Sequence, residues 1–264
     1  MKRALIYIFM ILLFFIMAVY FVKAYEYFAP PEERNVYKIA KADDTLRIAY
    51  IGDSWAYIHN REHQCLIPVI INNQCKKTAK IYSYGFPGRT SREIYEAFFN
   101  DEKQMQILQS NGFQYCIISA GINDANKKMS IKYYQNSMDY IIRFLLSNHV
   151  RPIIIEMPDY DIKKTYRWQK TDRKLWYRLS MIINKIPLDC KQIYRDALDD
   201  LINERDYQEK VSIIRYKSWN NNYEKGQKAL YLIDGIHLND YGNAVLDSVI
   251  AKEIIKTEKH DYRN

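Results

Sequence analysis

The stretch LRIAYIGDS, residues 46–54, decides the fold of this chain. Its first six residues form a short, mostly apolar run that predicts a buried strand, and a helical stretch begins near Trp55. The same alternation of a short apolar run with a longer amphipathic segment continues along the chain. Strands that alternate with helices in this way predict a mostly parallel sheet covered by helices on both faces.

Four more strands and four more helices are expected on this pattern. The strands are expected at 79–84, 114–119, 152–156 and 211–216, and the helices at about 91–99, 102–109, 131–148 and 241–257. The stretch from about 159 to 208 is too long for one crossover helix and is rich in Tyr, Trp, Lys and Arg. We expect it to be a helical insertion, either packed beside the sheet or forming a cap over a substrate groove.

Length and composition exclude several classes of protein. The chain has 264 residues, with 48% hydrophobic and 27% charged residues, which excludes disordered and fibrous proteins. The net charge is +8, but three of the positive residues flank the first apolar run, leaving 36 positive against 31 negative residues elsewhere. A nucleic-acid-binding surface is denser and clustered, so we do not expect nucleic acid as a partner.

The N-terminus predicts a membrane anchor. Residues 4–22 are 19 consecutive uncharged, apolar or aromatic residues, preceded by Lys2 and Arg3 and followed by Lys23. A helix of that length nearly spans a hydrocarbon core of about 30 Å, and its end is a poor cleavage site, so an anchor is favoured over a cleaved signal peptide. We therefore expect an anchor at 1–23, a Pro-containing linker at 24–44 and a catalytic domain at 45–264. Positive charge before the helix places that domain in the periplasm or outside the cell.

The four cysteines form no recognisable disulfide framework. Cys116 lies in an apolar strand-like run and is expected to be a buried, inert thiol. Cys65 and Cys75 would be about 15 Å apart on one continuous helix, too far for a disulfide. Pro68 could break that helix, so a bridge between these two cysteines is kept as an alternative.

Polar motifs follow the predicted strands at the points where each strand ends. They are Gly52-Asp53-Ser54, the block from Gly85 to Thr90, Gly121-Ile122-Asn123-Asp124, and, before the last helix, Asp234-Gly235-Ile236-His237. Ligands of α/β sheets bind beyond the carboxyl ends of the strands, so these motifs are expected to converge.

Together these residues carry the groups needed for acyl transfer. A serine hydroxyl such as that of Ser54 is a weak nucleophile until a base takes its proton, and His237 can be that base. Asp234, three residues earlier, can hydrogen-bond the other ring nitrogen and fix the tautomer. The oxyanion that develops needs fixed donors, which a glycine N–H and the side chain of Asn123 can supply.

In their order and positions, the four motifs resemble the four blocks of the SGNH (GDSL-type) hydrolase family, over about residues 46–258. The resemblance implies a flavodoxin-like, three-layer α/β/α fold, hydrolysis or transfer of ester-linked acyl groups, and no cofactor. It implies that Ser54 is the nucleophile, His237 the base and Asp234 its orienting acid. It also implies that Asn123 is the side-chain oxyanion donor. The family pattern places a Thr two residues after the donor glycine, which favours Gly88 over Gly85. Asp53 and Asp124 are expected to brace the turns.

A competing pattern points to metal chemistry. His59-Asn60-Arg61-Glu62-His63 matches the H-x-x-E-H motif of inverted zinc peptidases. No downstream acidic residue stands out as a third ligand, and the motif falls on the helix that the serine interpretation already explains. We therefore favour a serine enzyme without metal.

The expected substrates follow from a membrane-tethered domain that faces outward. We expect a serine esterase that removes O-acyl groups, O-acetyl above all, from an envelope or capsular polysaccharide. Alternatives are an O-acyltransferase that uses the same acyl-enzyme, and a hydrolase of lipid esters or thioesters. A different class is a non-catalytic envelope protein that binds glycans. The chain lacks the G-x-S-x-G elbow, which argues against an α/β-hydrolase.

Overall fold

The computed structural model describes residues 2–24, 45–61, 64–75, 77–220 and 229–261. Five strands form one sheet in the order β2-β1-β3-β4-β5, and all neighbouring pairs are parallel. The strands are β1 (Leu46–Gly52), β2 (Ala79–Gly85), β3 (Tyr115–Ser119), β4 (Arg151–Ile155) and β5 (Ser212–Ile214). The sheet predicted from the sequence is confirmed. The fifth strand is shorter than predicted.

The central strands are buried on both faces, which explains why their residues are almost continuously apolar. All seven residues of β1 and all five of β3 are buried. Ile48, Ile51 and Ile117 are fully inaccessible to solvent. A parallel strand covered by helices on both faces has no solvent side and therefore lacks polar alternation.

Eleven helices are numbered here in chain order. They are α1 (Lys2–Ala24), α2 (Ser54–Arg61), α3 (Ile67–Cys75), α4 (Ser91–Ile94), α5 (Glu102–Asn111), α6 (Ile122–Lys127), α7 (Ile131–Ser147), α8 (Ile162–Arg167), α9 (Thr171–Asn184), α10 (Lys191–Glu204) and α11 (Asp240–Asp261). A π-helix, Tyr95–Phe99, continues α4, so together they cover the helix predicted at 91–99.

The helices form two layers around the sheet. On one side α3 packs against α11, and on the other α7 packs against both α4 and α10. The predicted insertion forms α8, α9 and α10. Of these, α10 belongs to the layer, because its apolar side, including Leu198 and Leu201, lies in the core. The two helices before it, α8 and α9, form a hairpin in which Arg178 donates to the hydroxyl of Tyr166, and Ile162 of α8 also lies in the core.

The N-terminal helix α1 contains a segment, Arg3–Phe21, that is long and apolar enough to cross a membrane, with a mean hydropathy of 2.8. That segment is 6% buried. A membrane anchor or a signal sequence would have this composition. Apart from Ala24, which ends α1, the predicted linker lies outside the described residues.

The four cysteines are free. The alternative of a Cys65–Cys75 disulfide is therefore wrong. The two residues are not on one continuous helix either, because α3 begins only at Ile67 and carries Pro68 in its first turn, where proline is tolerated. Cys116 is buried in β3 as predicted, and burial raises the pKa of its thiol well above the usual value.

Candidate active site

Ser54 is the first residue of α2, directly after the carboxyl end of β1. The preceding Asp53 is buried, and its carboxylate accepts a hydrogen bond from the N–H of Trp55 at 3.0 Å. This bond satisfies one of the N–H groups that a helix leaves free in its first turn. The geometry fixes the turn and leaves the Ser54 side chain half-buried.

Ser54, His237 and Asp234 form one chain of hydrogen bonds. His237 Nε2 lies 2.8 Å from Ser54 Oγ, and His237 Nδ1 lies 2.6 Å from Asp234 Oδ2. A proton on Nδ1, donated to the carboxylate, leaves Nε2 able to accept the serine proton. The structure thus brings together three predicted residues that span 183 positions of sequence.

The loop that carries the His–Asp pair is held by its own backbone. The second carboxylate oxygen of Asp234 accepts from the N–H groups of Ile236 and His237, at 2.9 and 3.0 Å. The ends of the loop meet in an antiparallel bridge between Tyr231 and Leu238. This local closure explains why aspartate and histidine three residues apart face each other.

The same contacts tune the Asp234 carboxylate. Its partial burial would raise the pKa, but the hydrogen bonds from His237 and from the two backbone N–H groups lower it to about 2. The carboxylate is therefore ionised throughout the neutral range. An ionised Asp234 can hold the ring through Nδ1 and stabilise the positive charge that forms when a base takes the serine proton.

The predicted oxyanion donors lie beside each other. Asn123, in the first turn of α6, donates from Nδ2 to the carbonyl oxygen of Arg89 at 3.0 Å, next to Gly88. The same Nδ2 lies 3.3 Å from Asp53 Oδ2, next to Ser54. One amide group therefore joins the loop of Gly88 to the serine turn, and its longer bond to Asp53 is the weaker of the two.

Gly85 and Gly88 differ in what surrounds them. A Cβ on Gly85 would lie 2.2 Å from the backbone of Tyr57, so Gly85 permits the close packing of β2 on α2. Gly88 has a φ of +74° and open space where a Cβ would be. Its conformation is one that favours glycine, and the space beside it is free for a substrate. This geometry supports the choice of Gly88 as the donor.

Two buried carboxylates brace the site. Asp124 accepts hydrogen bonds from the N–H and the hydroxyl of Ser91, at 2.8 and 2.6 Å, and so ties α6 to the start of α4. Burial raises the pKa of Asp124 to about 6, despite these bonds. Burial likewise raises the pKa of Asp53 to about 7, against the lowering effects of the Trp55 N–H and His237. These contacts agree with the bracing positions predicted for both residues.

A second His–Asp pair lies away from this site. His59 on α2 is bonded through Nε2 to Asp247 of α11 at 2.5 Å, and both side chains are 1% exposed. Asp247 also accepts from the N–H of Leu66 at 2.7 Å. In the sequence, no downstream acidic residue stood out as a third metal ligand beside the H-x-x-E-H motif, and Asp247 was not predicted as a partner of His59. Asp247 is 188 residues away, so no local signal marked it.

The same cluster is where a metal ion could be held. Ligand atoms of His59, Cys65 and Asp247 all lie within 4.8 Å of one another. This cluster shares His59 with the H-x-x-E-H motif, whose Glu62 and His63 lie outside the described residues. In the structure the Asp247 carboxylate is already bonded to His59 and Leu66.

Solved structures share this fold. An acetyl xylan esterase, AlAXEase, aligns with a TM-score of 0.55 and 15% identity over 79% of this chain and 100% of its own. The psychrotrophic esterase EstA from Pseudoalteromonas sp. aligns with a TM-score of 0.56 and 11% identity, over 82% of this chain and 100% of its own. A GDSL-like lipase from Bacteroides thetaiotaomicron aligns with a TM-score of 0.51 and 14% identity, over 92% of this chain and 99% of its own. No protein-family model and no curated protein sequence matches the chain. The chain has the fold of the SGNH hydrolases, as the four motifs predicted.

Proposed function

We propose that this protein is a serine ester hydrolase that removes small acyl groups, O-acetyl above all, from an envelope polysaccharide. The observation that carries the proposal is the hydrogen-bonded chain Ser54–His237–Asp234. It stands in a fold shared with an acetyl xylan esterase. A serine that only capped its helix would need no histidine on its hydroxyl.

The reaction follows from the positions of these groups. His237 Nε2 takes the proton of Ser54 as Oγ attacks the ester carbonyl carbon, and the carbonyl oxygen becomes an oxyanion. The N–H of Gly88 and the amide of Asn123 stabilise that charge, which requires Asn123 to release its weaker bond to Asp53. His237 then gives its proton to the leaving sugar oxygen, and the acyl group stays on Ser54.

A second nucleophile completes the cycle. Water that loses its proton to His237 attacks the acyl-serine, releases the carboxylic acid and restores Ser54. The O-acyltransferase alternative shares the acyl-enzyme and differs only in that a sugar hydroxyl enters instead of water. Free acetate therefore distinguishes hydrolysis from transfer.

The experiment compares the full-length protein with Ser54→Ala on 4-nitrophenyl acetate, with and without a chelator. We expect the substitution to lower kcat by about 10⁴-fold or more, as removal of a triad member does. A fluorophosphonate probe should label the wild type and leave Ser54→Ala unlabelled. The control is Ser147→Ala, because Ser147 is exposed at the end of α7 and its hydroxyl is bonded to the carbonyl of Phe144 and the side-chain amide of Asn148.

Two outcomes would contradict the proposal. Ester cleavage that survives Ser54→Ala and disappears with the chelator would assign the activity to a metal. No cleavage of any ester and no labelling of the wild type would leave a glycan-binding protein without this chemistry.

The N-terminal helix supports a location for the reaction. Lys2 and Arg3 precede the apolar segment, and positive charge before a helix favours the cytoplasmic side. We propose that α1 anchors the protein and that the catalytic domain lies outside the cytoplasm. Alkaline phosphatase fused to the C-terminus should then be active in cells, and an inactive, stably expressed fusion would contradict this.

A further inference from the structure

A cavity of about 810 Å³ opens beside Gly88 and is not used by the chemistry described above. The loop of Gly88 and the helix that follows it line one part of the cavity, and α9 of the hairpin lines another part. Its lining includes Gly88, Arg89, Tyr133, Arg173, Trp176 and Tyr177. A volume of this size holds a ligand much larger than an acetyl group.

We propose that this cavity is the subsite for the alcohol part of the ester, and that it selects a glycan that carries negative charge. The proposal rests on the proposed function, since it names the substrate class of the same site. The cavity reaches Gly88, where the carbonyl oxygen would be held, so the remainder of a bound ester lies within reach of it.

The lining favours a sugar over a fatty acyl chain. Ionic and amide side chains, including Lys127, Glu93 and Asn184, lie among the apolar ones in this lining. They can bond to the hydroxyls of a sugar, whereas a fatty acyl chain would leave them without partners. Trp176 lines the cavity with 43% of its surface exposed, and an indole face packs well against the C–H groups of a sugar ring. Aromatic and polar groups together are typical of sites for sugars.

The charge of the lining favours an anion. Five cationic and two acidic side chains line the cavity. Glu93 is already paired with Lys127 at 2.9 Å, and burial raises the pKa of the other acid, Glu96. Arg89, in the loop of Gly88, and Arg173, on α9, are both exposed, and within the described part of the chain neither forms an ion pair. Both guanidinium groups can therefore bind a carboxylate or a phosphate.

The hairpin of α8 and α9, which contributes α9 to the cavity lining, carries further positive charge. Residues 162–185 contain eight Lys and Arg residues against one acidic residue, Asp172. The segment therefore carries a net charge of +7, and of its eight cations Arg173 lines the cavity.

An anionic membrane surface could also attract this hairpin, because Trp168, Leu175 and Ile182 on it are exposed. We favour the glycan because a concave cavity continuous with Gly88 admits a chain of sugars and a flat bilayer cannot enter it. The membrane is treated as one outcome of the test.

The test measures binding by calorimetry, with full-length Ser54→Ala in detergent micelles so that no turnover occurs. The probes are polygalacturonate, an acidic glycan, and xylan as the neutral comparison. Polygalacturonate should bind, more weakly at high salt, and xylan should bind less. Adding Arg173→Gln should raise the Kd for polygalacturonate about fivefold, and adding Trp176→Ala should raise it about tenfold. The control is Arg178→Gln, which removes the same charge from α9 outside the cavity lining.

A kinetic measurement uses the active protein and acetylated polygalacturonate. Arg173→Gln should raise KM more than it lowers kcat, and the ratio of kcat/KM for this polymer to kcat/KM for 4-nitrophenyl acetate should fall about fivefold. Equal binding of both glycans, or an equal loss with Arg178→Gln, would overturn the subsite. Binding only to vesicles of phosphatidylglycerol and phosphatidylcholine would overturn it in favour of a membrane. Because binding is measured without turnover, the subsite and the proposed hydrolase can fail separately.

Discussion

The molecule contains two histidine–aspartate pairs with nearly equal separations and opposite surroundings. His237 and Asp234 are 2.6 Å apart, three residues apart in one loop, and 24% and 29% exposed. His59 and Asp247 are 2.5 Å apart, join helices 188 residues apart, and are each 1% exposed.

The difference lies in what the second ring nitrogen meets. In His237 it is Nε2, and Ser54 Oγ lies 2.8 Å away. In His59 it is Nδ1, which is buried and has no hydrogen-bond partner among the described residues. The pairing alone therefore does not make a catalytic base. A base also needs a proton to take and room for a substrate, and the loop pair has the Ser54 hydroxyl next to its second ring nitrogen.

The largest expected effect separates the two pairs by activity. His237→Ala should lower kcat for 4-nitrophenyl acetate by about 10⁴-fold or more, because Ser54 loses its base. The free energy of unfolding should change by only about 1 kcal/mol, as for one partly exposed hydrogen bond. Steady-state kinetics and urea unfolding of the same preparation measure both quantities. A residual kcat within tenfold of the wild type would remove His237 from the mechanism.

The second prediction reverses that pattern. His59→Ala leaves the Asp247 carboxylate buried without its histidine, which should lower the free energy of unfolding by about 3–5 kcal/mol. His59→Gln keeps a hydrogen-bond donor for Asp247 and should recover part of the lost free energy of unfolding. Urea unfolding measures both variants. The labelling rate per folded molecule with a fluorophosphonate should stay within about tenfold of the wild type, since Ser54 and His237 keep their contact. A loss of labelling without a loss of stability would make His59 a residue that positions the serine.

The third prediction uses pH to compare the carboxylates. The folded pKa of Asp53 is raised to about 7, above its usual 3.8, so its contribution to stability is present at acidic pH and is lost as pH rises through 7. The loss is on the order of 4 kcal/mol. Asp234 has the opposite sign, because its pKa is lowered to about 2 and its contribution is lost as pH falls below 4.

Thermal unfolding between pH 2 and pH 8 measures this contrast. As pH rises from about 4 to 7, Asp53→Asn should become more stable relative to the wild type. As pH rises from about 2 to 4, Asp234→Asn should become less stable relative to the wild type. The matched control is Asp172→Asn, on the exposed side of α9. Parallel pH profiles for Asp53→Asn and the wild type would contradict the role of burial at Asp53.

Much of the fold and of the site could be predicted because the signals are local. The run at β1 is buried on both faces and therefore apolar throughout. Ser54 lies just beyond the end of β1, and Asp234 and His237 share one loop. The sequence motifs alone therefore predict where these three residues lie in the fold. The positions of Asn123 and Gly88 beside each other follow from the parallel order of the strands.

Other features depend on contacts that the sequence does not encode locally. The partner of His59 is on a helix 188 residues later, and the cavity beside Gly88 is lined in part by α9, which is far from that loop in the sequence. The pattern of residues 159–208 indicated helices but could not show that α10 belongs to the core layer. Such features are set by tertiary packing, which overrides local propensity.

The tight contact at Gly85 has a consequence for studies of natural and laboratory variation. Any side chain there must displace the backbone of Tyr57, because a Cβ would lie 2.2 Å from it. A mutational scan that scores only activity should therefore report Gly85 as intolerant as Ser54, although Gly85 carries no reacting group. A parallel score of protein abundance would separate the two positions, with Ser54 variants abundant and inactive and Gly85 variants depleted.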